Sequence, residues 1–426
     1  MKRRLFLFCF IFLSLFSFSQ VKDSLVKDSL KLPFAISEEE RLSDEDLKNK
    51  KEGIYLTGVP DLSSDPENGF GAGAEAQLFF DGKRTDPFFA YTAYRAEIDL
   101  SAFYTTKSER EIQLVWDIPY IFNSKWRLRG QCEYMVNPNY LFFGTTEETL
   151  NPLTSDPNDN FFYNTFQQQE ESFNISMEHS WFKSKIRTLV GYELAGDVIS
   201  TPLNDNSLLH QEAMDGLIAG FGNDRVTLLQ LGIIYDTRDL EPDPSTGSFA
   251  ELTNELATPV LGSQHSFNRT FFHYNYYHRV LTGVFQKLVF AARIGLGNTS
   301  GNAPFYEYMD QWSSEGDING LGGPQTLRGY VQSRFIGPVM GLANIELRCR
   351  FLQADILKQH LAFSVIPFFD LGGVWNSLNR ITYLKNIRYA EGPGMQISWN
   401  EDTILRFDYG ASTEGTQFYF GIGQIF

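Results

Sequence analysis

From Gly53 to the carboxy terminus, apolar and polar residues alternate. Within Phe161–Trp181, Phe173, Ile175 and Met177 fall on one face, and Asn174, Ser176 and Glu178 on the other. This is the two-residue period of a β-strand with one apolar and one polar side. Val226–Tyr235 repeats it. Runs of this kind number about sixteen, an even count as a single-chain bacterial barrel requires. Residues 53–426 then divide at about 23 per strand plus connection, enough for strands of roughly 9–11 residues or more.

The connections alternate in length. Short ones are expected at Asp81–Pro87, Phe122–Lys125, Lys183–Lys185, Gly283–Lys287 and Asn400–Thr403. Long ones are expected at Thr145–Asp159, Thr201–Asp224, Asn298–Gln325 and Asn376–Arg388, with briefer outer links at Thr105–Glu109 and Gly262–Ser266. Outer-membrane barrels have short periplasmic turns and long external loops, whereas a soluble sandwich has no reason for that bias. The pattern predicts an all-β transmembrane antiparallel barrel over residues 53–426.

Residues 1–19 have the layout of a secretory signal. Lys2, Arg3 and Arg4 precede an apolar run from Leu5 to Phe18, with small residues Ser17 and Ser19 before Gln20. The run is shorter than the roughly 20 apolar residues of a membrane helix. Cys9 lies inside it without the small residue a lipidation site places before the cysteine. Residues 20–52 hold a tandem VKDSL and a charged tract poor in large apolar residues. They are expected to form a periplasmic low-complexity segment. Ser37 and Glu40 have capping-box spacing, which predicts a short helix through about Lys50.

Composition sharpens the picture. Aromatics make up 15 % of the chain, yet mean hydropathy is only −0.24. Aromatic girdles on strands that are polar on their inner side give that combination. The net charge of −16 argues against nucleic acid as a partner. Cys132 and Cys349 stand in separate strand-like runs and are expected to be isolated thiols. Among six histidines, His273 and His278 are separated by an odd spacing that points them to opposite faces, so neither a metal nor another cofactor is expected. No G-x-S-x-G nucleophile motif occurs, and no enzymatic activity is expected.

Four segments carry a likeness. Gly320–Tyr330 reads GLGGPQTLRGY, followed by Glu346 in ANIELRCRF and Asp370 in IPFFDLGGVW. Tyr235–Ser248 reads YDTRDLEPDPSTGS, with Asp236, Arg238, Asp239 and Gly247. Gln417–Phe426 reads QFYFGIGQIF, and period two puts Phe418, Phe420, Ile422 and Phe426 on one face. Gly58–Phe80 completes the set. Together these resemble the BamA/TamA superfamily of outer-membrane barrels, also called bacterial surface antigens. The resemblance implies that a long external loop folds into the lumen. Its Arg328–Gly329–Tyr330 tip would pair there with Glu346 and Asp370. It implies a D-x-R-D…G motif at a periplasmic turn, a terminal-strand assembly signal, and a lateral seam between the first and last strands, near Gly53–Val59 and Gln417–Phe426. Family members with periplasmic POTRA domains carry them where this chain has about 33 residues, below the roughly 40 an independent domain needs. The implied function is assistance to protein insertion or translocation in the outer membrane of a Gram-negative bacterium, without nucleotide. The partners would be lipid, client proteins and a separate periplasmic protein contacting Val21–Lys50. A passive pore and a barrel hydrolase are the alternatives.

Overall fold

The computed structural model describes residues 31–65, 68–146, 149, 162–203, 206–282, 284–285, 287–356, 359–400 and 403–426. The signal, the tandem repeat and most of the Thr145–Asp159 connection lie outside these. Sixteen strands form one antiparallel sheet in chain order. They are β1 (Gly53–Asp65), β2 (Gly69–Gly82), β3 (Ala96–Thr105), β4 (Arg110–Ile118), β5 (Trp126–Leu141), β6 (Thr165–Trp181), β7 (Ile186–Ser200) and β8 (Gly222–Asp236). Then come β9 (Gly247–Ala257), β10 (Ser266–Arg279) and β11 (Lys287–Asn302). Two short strands, β12 (Asp310–Gln311) and β13 (Ile318–Asn319), pair with each other inside the following loop. The wall resumes with β14 (Val339–Ile356), β15 (Gln359–Trp375), β16 (Ile387–Trp399), β17 (Thr403–Ser412) and β18 (Gly415–Ile422).

Period two decides what each strand shows to lipid. On β3, Ile98, Leu100 and Tyr104 are exposed outward. On β8 the outward residues are Leu231, Ile233 and Tyr235, and on β14 Ile345 and Leu347. The inward positions hold the charges, such as Arg293, Glu346, Asp370 and Asp408, all nearly fully buried. The core is therefore the bore. Register breaks where a donor is missing: the β5–β6 pairing shifts between Asn137 and Tyr140, at Pro138, which has no N–H to offer.

Every neighbouring pair from β1 to β18 is joined by a ladder, but β1 and β18 are not. The sheet is rolled until these two strands lie side by side. At the periplasmic end the seam is crossed by side chains, with Lys51 Nζ 2.9 Å from Gln359 Oε1 and Thr403 Oγ1 2.8 Å from Gln77 Oε1.

Three sequence expectations change. The β2–β3 connection runs over residues 83–95, longer than the expected Asp81–Pro87, and it buries Phe88 and Phe89. The long loop runs over residues 303–338, because β11 continues to Asn302. The segment before β1 is no loose linker from residue 31 on. Its helix, α1 (Asp44–Asn49), is capped by Ser43, whose side chain accepts from Asp46 N. Glu38–Glu40 form only a 3-10 turn, and the Ser37 amide is spent on Lys183 O at 2.8 Å. Both serines have an acid three residues on, and docking of the segment decides between them.

Candidate functional site

The loop between β11 and β14 enters the bore and is anchored at three levels. Near the outside, Phe305 and Tyr306 pack with Phe142, Phe166 and Leu228. Deeper, Trp312 packs with Leu189, Ile234 and Phe249, and Glu251 accepts from Ser313 Oγ and the Ser314 amide. The third level is the Gly320–Tyr330 tip. Thr326 ties the tip into a knot, accepting from Gly322 N and donating to Gly320 O. Leu321, Leu327, Tyr330 and Phe335 fill an apolar pocket with Phe271, Met340, Leu342 and Val374.

That knot presents Arg328, which is 0 % exposed. Its Nε and Nη2 donate to the two oxygens of Asp370 at 2.9 and 2.8 Å, and its own amide donates to Asp370 Oδ2. Nη1 donates to Glu346 Oε1 at 2.7 Å and lies 3.7 Å from Asp408. The guanidinium sits 3.5 Å from the centre of the Phe368 ring. Arg348 donates to the other Glu346 oxygen at 2.9 Å, and Arg406 forms an ion pair with Asp408, its Nε 2.8 Å from Oδ2. Three guanidiniums thus face three carboxylates, with the buried Arg293 guanidinium held at the edge of the cluster by Asn344 Oδ1. Burying ions is tolerable only with such pairing and with the remaining lone pairs occupied. Asn344 supplies part of that, donating to Asp370 Oδ1 and to Thr326 O.

The wall is cut to admit the tip. A side chain at Gly410 would land on the Arg328 carbonyl. Gly329 O accepts from Ser412 Oγ at 2.6 Å, and Tyr330 O from Tyr419 OH at 2.6 Å. Tyr330 OH lies 3.1 Å from Thr413 Oγ1. The structure thus brings Arg328, Gly329, Tyr330, Glu346 and Asp370 together. Asp408, Arg348, Arg406 and Asn344 belong to the same cluster and were missed from sequence, although Glu346/Arg348 and Arg406/Asp408 have the two-residue spacing of one strand face.

The Tyr235–Ser248 segment ends β8 and folds back into the bore. Asp236 holds Arg238, which also pairs with Glu315 of the long loop. Arg187 joins Glu178, Asp236 and Glu241, and Arg127 joins Asp117 and Glu241. Asp239 organises the turn, accepting from the amides of Leu240, Ser245 and Thr246. Gly247 has φ +103 and no room for a side chain, which would meet the Thr237 carbonyl. Oxygens of Asp236, Glu241 and Glu315 lie within 4.8 Å of one another, but Arg127, Arg187 and Arg238 provide their counter-charge. His273 pairs with Glu251 inside, while His278 faces outward. Cys132 and Cys349 are free thiols.

The terminal strand departs from its expected face. Phe418 is exposed outward, but Phe426 is not on that side. Gly423, with φ +83, turns the chain inward after β18. Ile425 and Phe426 pack with Tyr277, Val289 and Ala291 in the bore. Arg348 donates to Phe426 O at 2.8 Å and Arg293 to Ile425 O at 2.7 Å. Period two fails because the strand ends first. Arg293 also donates to Gln325 O of the loop tip, so one residue touches both tail and tip.

Fold and bore together define a membrane barrel of sixteen antiparallel strands whose lumen is filled by its own external loop, held through an arginine tip. A profile of the Omp85 superfamily domain matches residues 92–426, and the chain belongs to that superfamily. It is an outer-membrane protein of a Gram-negative bacterium. Residues 32–95 match a second profile, a domain of unknown function (DUF5982). Among solved structures, BamA from Haemophilus ducreyi lacking POTRA domains 1–3 is similar at 16 % identity and TM-score 0.53, over 88 % of this chain and 70 % of that one. CdiB from Escherichia coli is similar at 10 % identity and TM-score 0.54, over 87 % of this chain and 62 % of that one. These likenesses carry the barrel fold. No curated protein matches the chain.

Proposed function

We propose that this barrel assists insertion or translocation of proteins at the outer membrane, without nucleotide, cofactor or catalytic chemistry of its own. The carrying observation is the seam. Among the described residues, β1 and β18 are the one pair of neighbouring wall strands without a backbone ladder. Unpaired strand edges are costly in lipid, where no water replaces the missing bonds. A seam of that kind accepts another strand at low cost, and a filled bore argues against a wide passive pore. The Arg328 cluster holds the loop inside while the seam works. BamA and CdiB, the similar barrels, are compatible with this reading.

The test is insertion of a urea-denatured outer-membrane barrel into liposomes with and without the purified protein. Accelerated folding of the client, lost in the Arg328→Ala chain, is the expected result. Folding at the rate of empty liposomes would overturn the reading.

A further inference from the structure

We propose that residues 31–50 form a clasp over the periplasmic mouth of the barrel, and that this clasp must leave before anything in the periplasm reaches the bore. The proposal goes beyond the seam and holds whatever the client is.

The segment lies across three periplasmic connections. The Phe34 ring is 5.5 Å from Phe88 and 5.4 Å from Tyr120, tilted against both, so one aromatic packs on two separate turns. Ile36 and Leu42 are buried at 5 % and 3 % exposure, although neither belongs to the barrel wall. The Ser37 amide donates to Lys183 O at 2.8 Å and the Leu42 amide to Ala90 O at 2.9 Å. Just after α1, Lys50 is 5 % exposed. Its ammonium donates to Phe89 O and Thr92 O at 2.9 and 2.7 Å and lies 4.3 Å from the Phe89 ring centre. An ammonium is buried only where carbonyls and a ring face replace its water. The residues that receive it form the connection whose length the sequence concealed.

Beneath the clasp is a cavity of about 60 Å³. Glu40 and Leu42 line its outer side, and Arg127, Arg187 and Glu241 its inner side. The clasp is thus the outer wall of a chamber whose inner wall is the bore's ion-pair network. Two features mark it as removable. It is held by docked side chains and isolated backbone hydrogen bonds to turns, and among the described residues it has no strand ladder to the sheet. Its own Glu40 lines the chamber with a buried Oε1 that has no hydrogen-bond donor among the described residues, a desolvation that release relieves. The DUF5982 profile, residues 32–95, spans the clasp and the 83–95 connection that receives it. Lid and seat thus flank β1 and β2 within one matched segment.

The experiment places a cysteine at Ser180, which lines the chamber and is 6 % exposed, in a Cys132→Ser/Cys349→Ser chain. A charged, membrane-impermeant maleimide is applied to folded protein in detergent. The full chain labels slowly. Adding Ile36→Asp and Leu42→Asp speeds labelling at least about tenfold, as expected when a docked segment opens independently of the barrel. A synthetic peptide of residues 31–52, added in excess, slows it again. Heat-modifiable gel migration checks that the barrel remains folded. Equal labelling rates with and without the two aspartates overturn the proposal, as does a peptide that fails to restore protection. Neither result bears on the liposome assay, so the two readings fail separately.

Discussion

Arg328 makes four donated hydrogen bonds to two carboxylates, counting its own amide, and has a ring against its face. Removing one member of such a buried set leaves the others charged and unpaired. Arg328→Ala should therefore cost roughly 3–5 kcal/mol, measured as a lower denaturant midpoint for loss of the heat-modifiable form. Arg328→Lys should rescue little, because an ammonium cannot make the planar two-point contact with Asp370. A midpoint unchanged in Arg328→Ala would show that the tip carries no load. At this scale the sequence was legible where a charge stood against its surroundings. Glu346 and Asp370 are acids in apolar runs, and Arg328 is a lone cation among glycines. It was silent about Asp408 and Arg406, because their place beside Arg328 depends on strand register across some eighty residues.

Strands were the most legible elements, since lipid on one side and a polar bore on the other impose period two. Segments docked on other segments were not. The run Phe88–Phe89 could be understood only with Phe34 and Lys50 in view. The clasp carries a pH dependence of its own. Burial pushes the Glu40 carboxyl up to about 8 from its ordinary 4.5. Asp236 and Glu241 also push it up, while Arg187 and Lys185 pull it down. Docking thus favours the protonated acid. The clasp should be held best below about pH 4.5, lose hold as pH rises, and reach its weakest above about pH 8. The readout is the protection factor of the Leu42 amide, corrected for intrinsic exchange. Glu40→Gln should flatten the profile, and an unchanged slope in that chain would place the titration elsewhere. The tail shows another limit: period two predicts a face only while the strand lasts, and Gly423 ends it.

Across the whole molecule the bore is divided. The loop covers much of the inner wall from β6 to β17. Away from the Arg127 and Arg129 pairs with Asp117, the inner wall of β1–β5 is half-buried and carries Asp61, Glu75, Asp99, Glu111 and Glu133. Glutamine amides support several of these, Gln77 on Glu75 and Gln131 on Glu133. Any residual current through the folded protein should be small and should favour cations over anions, since a wall of one sign concentrates counter-ions. Reversal potentials in a salt gradient across a planar bilayer measure this. Glu75→Gln with Glu111→Gln should lower the preference, and an anion preference in the native chain would contradict the layout. The sixteen-strand cylinder was visible in sequence because alternation and loop lengths repeat around it. The division of its interior was not, because it depends on which wall the loop leans against.

The turn from Thr237 to Thr246 has one more consequence. Glu241 grips Arg127 and Arg187 on β5 and β7, while Asp243, two residues on, grips Lys287 and Arg350 on β11 and β14. Gln424 of the tail adds a further hold on Asp243. The turn is a cross-tie between distant staves of one cask. The rim at that end cannot swell or flatten without parting one of its two ends. A passenger leaving sideways through the seam would not strain it, and one travelling lengthwise would have to break it.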